Sequence, residues 1–153
     1  MKSTTKKELS YYRLRLESYL KDYHPHRLAD ERFIADRSDA SAKVYEEGFL
    51  DGATLGESDK IALQTLFEGL HFSEYFFIEQ ILDNEFFNEV PAELTSELSL
   101  LLLKNDAVKA TIAKYNPDDN FDEKPEYDLF YTELTGTIQL VIENNNLLEG
   151  FKA

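Results

Sequence analysis

An apolar stripe near the C-terminus, between Pro125 and Glu143, constrains the fold of this chain more than any other feature. Its hydrophobic side chains recur at steps of three and four residues, the spacing that places them on one face of an α-helix. The stripe consists of Tyr127, Phe130, Tyr131, Leu134, Ile138, Val141 and Ile142. Because proline is favoured where a helix starts, we expect this helix to open just after Pro125. The pattern predicts that the C-terminal third packs a helix into a core.

The same spacing recurs along the rest of the chain and predicts a succession of helices. The first is expected over residues 6–23, opened by a capping box at Thr5 and Glu8. Asp30 caps a short segment, and a new helix restarts at Ser38 or Asp39. Residues 54–58 are expected to form a loop. Later helices are predicted to open at Ser73, Pro91 and Asp106.

An all-α fold is the prediction that these helices support. Alternating strand patterns with hairpin turns are missing from the sequence, and β-branched residues are sparse. With 153 residues, the chain has the length of one domain that can bury a sizeable core. We therefore expect a compact multihelical bundle of six or seven helices in a single domain spanning residues 1–153.

Composition and charge limit the cellular compartments and the binding partners that are compatible with this sequence. The sequence has no cysteine, which excludes disulfides and thiolate chemistry, and its longest aliphatic run is far shorter than the ~20 residues of a membrane span. We expect a cytoplasmic protein without membrane contact. Residues 1–37 carry nine Lys/Arg against six Asp/Glu, whereas residues 38–153 carry seven against 24. The acidic surface expected for residues 38–153 would repel nucleic acid and attract basic proteins.

Three segments together resemble a known family. They are Glu8–Leu16 near the start, Gly69–Ser73 in the middle and Glu126–Ile138 near the end. These strings are similar to those of a family of short uncharacterised proteins from Bacteroides-type bacteria, often encoded beside conjugative transposon genes. The resemblance covers nearly the whole chain. It implies a small helical cytoplasmic protein in a mobile-element setting, and it implies no activity, ligand or catalytic residue.

The three histidines are the candidates for metal chemistry. His24 and His26 are separated by one residue, and Glu68 precedes His71 by three, a spacing that supplies two ligands on one helix face in di-iron bundles. A closed zinc site needs four ligands, and a di-iron site needs a second such pair with further glutamates. The favoured interpretation is a solvated turn at His24 and His26 and a helix-end residue at His71. A metal protein or enzyme using these histidines is kept as an alternative, and we expect no cofactor.

The loop 116–126 imitates the start of a calcium-binding loop. Asp118, Asn120 and Asp122 occupy the first, third and fifth positions, but Glu123 stands where the sharp turn needs glycine. A solvated acidic loop is therefore the prediction.

The most aromatic helix, after Ser73, suggests an interaction surface. Tyr75, Phe76 and Phe77 are consecutive and cannot all face one core. A ring left outside would form part of an exposed patch suited to a partner or a second copy. Adding Tyr11, Arg13 and Arg15 of helix 1 and Tyr131 of the C-terminal stripe gives the candidate interface residues: Tyr11, Arg13, Arg15, Tyr75, Phe76 and Tyr131.

These observations lead to a functional hypothesis without catalysis. We expect a non-enzymatic acidic accessory or protein-interaction module that contacts a basic protein or associates with itself as a homo-oligomer. Direct nucleic-acid binding is disfavoured by the charge. The alternative is an acidic nucleic-acid mimic, in which rows of carboxylates imitate phosphates and inhibit a DNA-binding protein.

Overall fold

A computed structural model describes residues 6–147, with side chains from Leu9 onward. Within that range it contains seven α-helices and no β-strand, so the all-α prediction of six or seven helices is confirmed. The helices are α1 (Lys6–Tyr23), α2 (Glu31–Leu50), α3 (Leu55–Leu66), α4 (Glu74–Glu85), α5 (Thr95–Leu103), α6 (Asp106–Tyr115) and α7 (Glu126–Asn144). Short 3-10 turns lie at Pro25–Arg27, Ala92–Leu94 and Phe121–Glu123. In residues 6–147, no helix has both the length and the apolar character needed to cross a membrane.

Several helix boundaries follow the sequence signals. α1 spans Lys6–Tyr23 as expected, and the Ser73 hydroxyl accepts a hydrogen bond from the Phe76 amide at 2.9 Å, which makes it the N-cap of α4. The predicted capping box of α1, at Thr5 and Glu8, lies outside the residues whose side chains are described. α6 begins at Asp106, but its N-cap is Asn105, whose side chain accepts from two backbone amides.

Two predictions about the first half of the chain are wrong. α2 runs unbroken from Glu31 to Leu50, so no helix restarts at Ser38 or Asp39. Ser38 is buried within the helix, where packing holds a residue that is favoured at a cap into a regular turn. The predicted loop at 54–58 is the first turn of α3. Thr54 and Glu57 form a capping box there, each side chain bonding the other's backbone amide.

The chain divides into two compact units, residues 1–71 and 72–153. The expectation of a single domain stays a prediction. The first unit has a core built from α1, α2 and α3. Its fully buried large side chains are Tyr12, Leu16, Leu20, Ile34, Leu66 and Leu70.

Helices α2 and α3 pack against each other, and several of the buried positions on α2 hold small side chains. α2 buries Ser38, Ser41 and Ala42. At the end of α2, a Cβ added to Gly48 would stand 3.1 Å from the Ser58 Oγ of α3. Such a separation leaves no room for a larger residue unless a neighbour moves, so glycine permits the close approach of the two helices there.

The second unit has an aromatic core that includes the stripe of α7. Phe130, Leu134 and Ile138 are fully buried, and Val141 and Ile142 are nearly so, as the spacing predicts. Phe130 stacks on Phe77 of α4 with ring centroids 4.8 Å apart. The acidic loop before α7 also contributes, because its Phe121 is buried and meets the Phe130 ring edge-on at 5.4 Å.

Candidate protein-contact groove

An open groove of about 480 Å³ lies along α1 in the first unit. α1 turns Tyr12, Leu16 and Leu20 into the core at steps of four residues, so the neighbouring rows of the helix face outward. The groove is lined by Tyr11, Leu14, Arg15, Ser18, Tyr19, Asp22, Tyr23 and Phe67. We call this set the α1 groove.

Aromatic contacts hold the floor of the α1 groove in place. The Tyr19 ring lies 4.7 Å from Phe67 and 4.9 Å from Tyr23, measured between centroids. The Tyr19 hydroxyl donates a hydrogen bond of 3.0 Å to the Leu70 carbonyl. Because Tyr19 is fixed both by stacking and by this bond, the floor is ordered before any partner arrives.

The rim of the α1 groove exposes apolar area. Leu14 is 67% exposed, Tyr11 43% and Tyr23 37%. Tyr11 and Leu14 are three residues apart on α1, so their exposed surfaces adjoin each other, and Tyr23 lines the other end of the groove. Contiguous apolar surface of this kind is typical of a protein-contact site.

Two opposite charges lie within the α1 groove. The Arg15 guanidinium rests over the rings of Tyr11 and Phe67, 5.8 and 6.0 Å from their centroids, and donates to the Tyr11 hydroxyl at 3.0 Å. Asp22 lies two helical turns further along. Among residues 9–147, whose side chains are described, neither Arg15 nor Asp22 forms an ion pair. Both charges are therefore available to a partner.

The predicted interface residues do not all meet in this groove. Tyr11 and Arg15 line it, but Arg13 is engaged inside the unit, where it pairs with Glu31 of α2 and with Glu17. Arg13 thus attaches α1 to α2. Its place among the interface residues stays a prediction.

The remaining interface candidates lie in the second unit. Phe76 is 41% exposed, which matches the expectation that one of three consecutive rings is left outside the core. Tyr75 is buried and donates to Glu79 at 2.9 Å, so it is not the ring left outside the core, and its place among the interface residues stays a prediction. Tyr131 is half-buried and donates to Glu85 at 3.1 Å, and burial raises its pKa. Of these three, Phe76 is the most exposed.

The histidines do not converge on a metal site. His24 is buried, with its Nε2 2.8 Å from the Leu70 carbonyl oxygen, so the solvated turn predicted at this position is wrong. Desolvation of the ring lowers the pKa of His26, and the nearby His24 and Arg27 lower it further. His71 is exposed and lies beyond the end of α3. Nowhere in the described part of the chain do three potential ligands form a group that could hold a metal ion.

The loop that imitates a calcium site is closed by an ion pair. Lys124 Nζ stands 2.6 Å from Asp118 Oδ2, and this contact lowers the pKa of Asp118. The Asn120 amide donates to the other carboxylate oxygen at 3.2 Å. The first ligand position of the imitated loop is therefore occupied by protein donors.

Sequence reasoning missed most of the α1 groove. Tyr19 and Tyr23 fit the apolar period of α1, which gives no sign that they form the floor and rim of the groove. The row Tyr11, Leu14 and Ser18, which lies off the buried stripe, is a signal that could have indicated an exposed apolar face. Phe67 carries no such signal, since only the fold brings it beside α1.

Tyr12, next to the groove, is expected to make the free energy of unfolding fall as the pH becomes alkaline. Its hydroxyl donates to Asp59 of α3 at 2.8 Å, and burial together with this bond raises the pKa of Tyr12 far above its ordinary value. An unfolded tyrosine titrates near pH 10, so above that pH the unfolded state releases a proton that the folded state keeps. We expect the free energy of unfolding to fall by up to about 1.4 kcal/mol per pH unit from this group alone.

Urea unfolding at pH 8 to 11 measures this loss, with Tyr12→Phe as the comparison. The variant lacks the titrating group, so its free energy of unfolding should decline less steeply above pH 10 than that of the wild type. The decline that persists in the variant belongs to the other tyrosines whose pKa burial raises, among them Tyr75 and Tyr127. Parallel declines in the two proteins would contradict the assignment to Tyr12.

Comparisons with known proteins give a family and a fold without a function. A family profile described as "Domain of unknown function (DUF1896)" matches residues 4–147. The crystal structure of protein PG0816 from Porphyromonas gingivalis is similar, with 43% sequence identity and a TM-score of 0.88. The match covers 92% of this chain and 94% of that protein. Among curated proteins, none matches the sequence significantly.

Proposed function

This chain belongs to the DUF1896 family, whose description records no function, and we propose that it is a non-enzymatic protein-interaction module that binds through the α1 groove. The observation that carries the proposal is the groove itself: an ordered aromatic floor, an exposed apolar rim and two available opposite charges. Tyrosine and arginine are enriched where proteins bind one another, because each supplies a large contact area together with a polar end.

The charge distribution supports a protein partner. Residues 1–71 carry 11 Lys/Arg against 13 Asp/Glu, whereas residues 72–153 carry five against 17. The acidic second unit would attract a basic protein and speed its approach, and the α1 groove would supply the apolar contact. We further propose that the module acts in the cytoplasm as an accessory of a mobile element, as the resemblance of its sequence implies.

Photo-crosslinking from the groove tests the proposal. Leu14 is replaced in the full chain by p-benzoylphenylalanine, and the protein is irradiated in cells and recovered under denaturing conditions. We expect a discrete covalent adduct with a protein, either another chain or a second copy of this one. Position 32 is the matched control, since the Arg32 side chain is 93% exposed on α2 and lies outside the groove.

A third probe separates the nucleic-acid mimic from the groove proposal. Under the mimic hypothesis the partner would contact the acidic helices, and Glu97, exposed on α5, is a suitable position there. Adducts from position 97 without adducts from position 14 would favour the mimic. If position 14 gives no more product than position 32, the groove proposal is wrong.

A further inference from the structure

The charges of the α1 groove are arranged so that the groove complements itself. Arg15 and Asp22 are seven residues apart, which is about two helical turns and places them on one face of α1 roughly 10 Å apart. Ser18 lies between them. In an antiparallel pair of α1 helices related by a two-fold axis beside Ser18, Arg15 of each copy faces Asp22 of the other.

We propose that the occupant of the α1 groove is α1 of a second copy of this chain, packed antiparallel about a two-fold axis beside Ser18. This inference rests on the proposed function and identifies its partner. A two-fold interface uses one surface twice, so every contact that it contains occurs as a pair. Two Arg15–Asp22 ion pairs would therefore form at once, and both would use charges that have no ion partner among the side chains described from Leu9 to Leu147.

The apolar rim flanks the helix pair in the same register. Leu14 and Tyr23 are nine residues apart on α1 and so lie on opposite sides of the Arg15–Asp22 row, which places an apolar side chain on each flank of the paired charges. Leu14 is the most exposed of the large apolar side chains of the groove, and Tyr23 is one of its three exposed apolar residues. The small Ser18 side chain at the crossing allows the two helix backbones to approach closely.

Net charge favours contact at this part of the chain. Two copies that met through residues 72–153 would bring together surfaces with an excess of 12 negative charges each, whereas residues 1–71 have an excess of two. α1 itself is slightly basic, with five Lys/Arg against three Asp/Glu. Self-repulsion is therefore smallest where the groove lies.

The size of the interface predicts its strength. α1 has 18 residues and is about 27 Å long, so one helix pair buries less than the ~800 Å² per partner of a standard stable interface. We expect a weak dimer with a dissociation constant in the micromolar range.

Charge reversal in the purified full chain tests the register. In Arg15→Glu and in Asp22→Arg, both symmetric ion pairs become like-charge contacts, so we expect each single variant to weaken the dimer on the order of 30-fold or more. The double variant R15E/D22R restores opposite charges in exchanged positions, and its dimer should return to within a few-fold of the wild type. Sedimentation equilibrium over a range of protein concentrations measures all four dissociation constants.

A matched pair on α2 controls for net charge. Arg32 and Asp36 form an exposed contact of 3.9 Å away from the groove, and R32E, D36R and R32E/D36R repeat the same three charge changes. These variants should dimerise like the wild type. Far-UV circular dichroism and thermal unfolding of every variant identify any that loses its fold, and the rescue by the double variant is a result that misfolding cannot imitate.

Three outcomes would overturn the inference. A wild-type chain that stays monomeric at all concentrations, single reversals that leave the dimer intact, or a double variant that fails to recover would each exclude this register. The proposed function is distinguishable from it. An adduct from position 14 to a different protein, with a monomeric wild-type chain, would keep the groove as an interaction site and reject the second copy as its occupant.

Discussion

Truncating Phe130 to alanine is expected to lower the free energy of unfolding by about 4 kcal/mol, the largest effect of a single change in this chain. The Phe130 ring is fully buried and stacks on Phe77 at 4.8 Å. Phe121 meets it edge-on, and Tyr115 and Phe72 lie within 5.0 and 6.2 Å. Removing it takes away its transfer free energy and leaves a cavity among rings that cannot easily collapse.

The comparison variants for this prediction lie at the same site and beside it. Phe130→Leu keeps most of the apolar volume and should cost about 1–2 kcal/mol. Leu129→Ala, one residue earlier, removes a side chain that is 61% exposed and should change stability by no more than about 0.5 kcal/mol. Urea unfolding followed by far-UV circular dichroism gives all three values. A loss at Phe130→Ala no larger than that at Leu129→Ala would contradict the assignment of Phe130 to the core.

The helices were predictable where the signal is local. The 3.6-residue period and a nearby cap or proline place α1, α4 and α7, because a helix buries one face and its ends need partners for their backbone groups. The same local logic was misled at Ser38. Serine followed by aspartate is typical of a helix start, but this serine is buried in the middle of α2, where tertiary packing outweighs its propensity.

The groove was predictable only in part. Tyr11 and Arg15 can be identified from α1 alone, since aromatic and basic residues off the buried stripe must face outward. The floor could not be predicted, because Phe67 and the Leu70 carbonyl come from a segment about 50 residues away in sequence. Their positions depend on where α3 ends, and a side chain from another helix contacts that end.

That contact is Arg37, which holds the C-terminus of α3 and so the floor of the α1 groove. From the middle of α2, its Nη1 donates to the carbonyls of Thr65, Leu66 and Glu68 at 3.3, 3.1 and 2.7 Å. The last carbonyls of a helix have no partner within it, and the negative end of the helix dipole attracts a cation.

Arg37→Met is therefore expected to lower the free energy of unfolding by about 1.5–3 kcal/mol, the usual contribution of a hydrogen bond to a charged group. Methionine keeps the length of the apolar stem, so the loss reports on the guanidinium. Arg32→Met on the same helix is the matched control and should change stability by no more than about 0.5 kcal/mol, because that side chain is 93% exposed.

The Arg37→Met variant also tests whether the contacts of Arg37 with the end of α3 support the groove. Without Arg37 the residues after α3 lose their anchor, so the amides of Phe67 and Leu70 should exchange hydrogen faster than in the wild type, while amides in α7 keep their rates. Phe67 and the Leu70 carbonyl position Tyr19, and a loosened floor should lower the crosslinking yield from position 14. Unchanged exchange at Phe67 and Leu70 would show that α3 ends where it does without Arg37, and that the groove is ordered by its aromatic contacts alone.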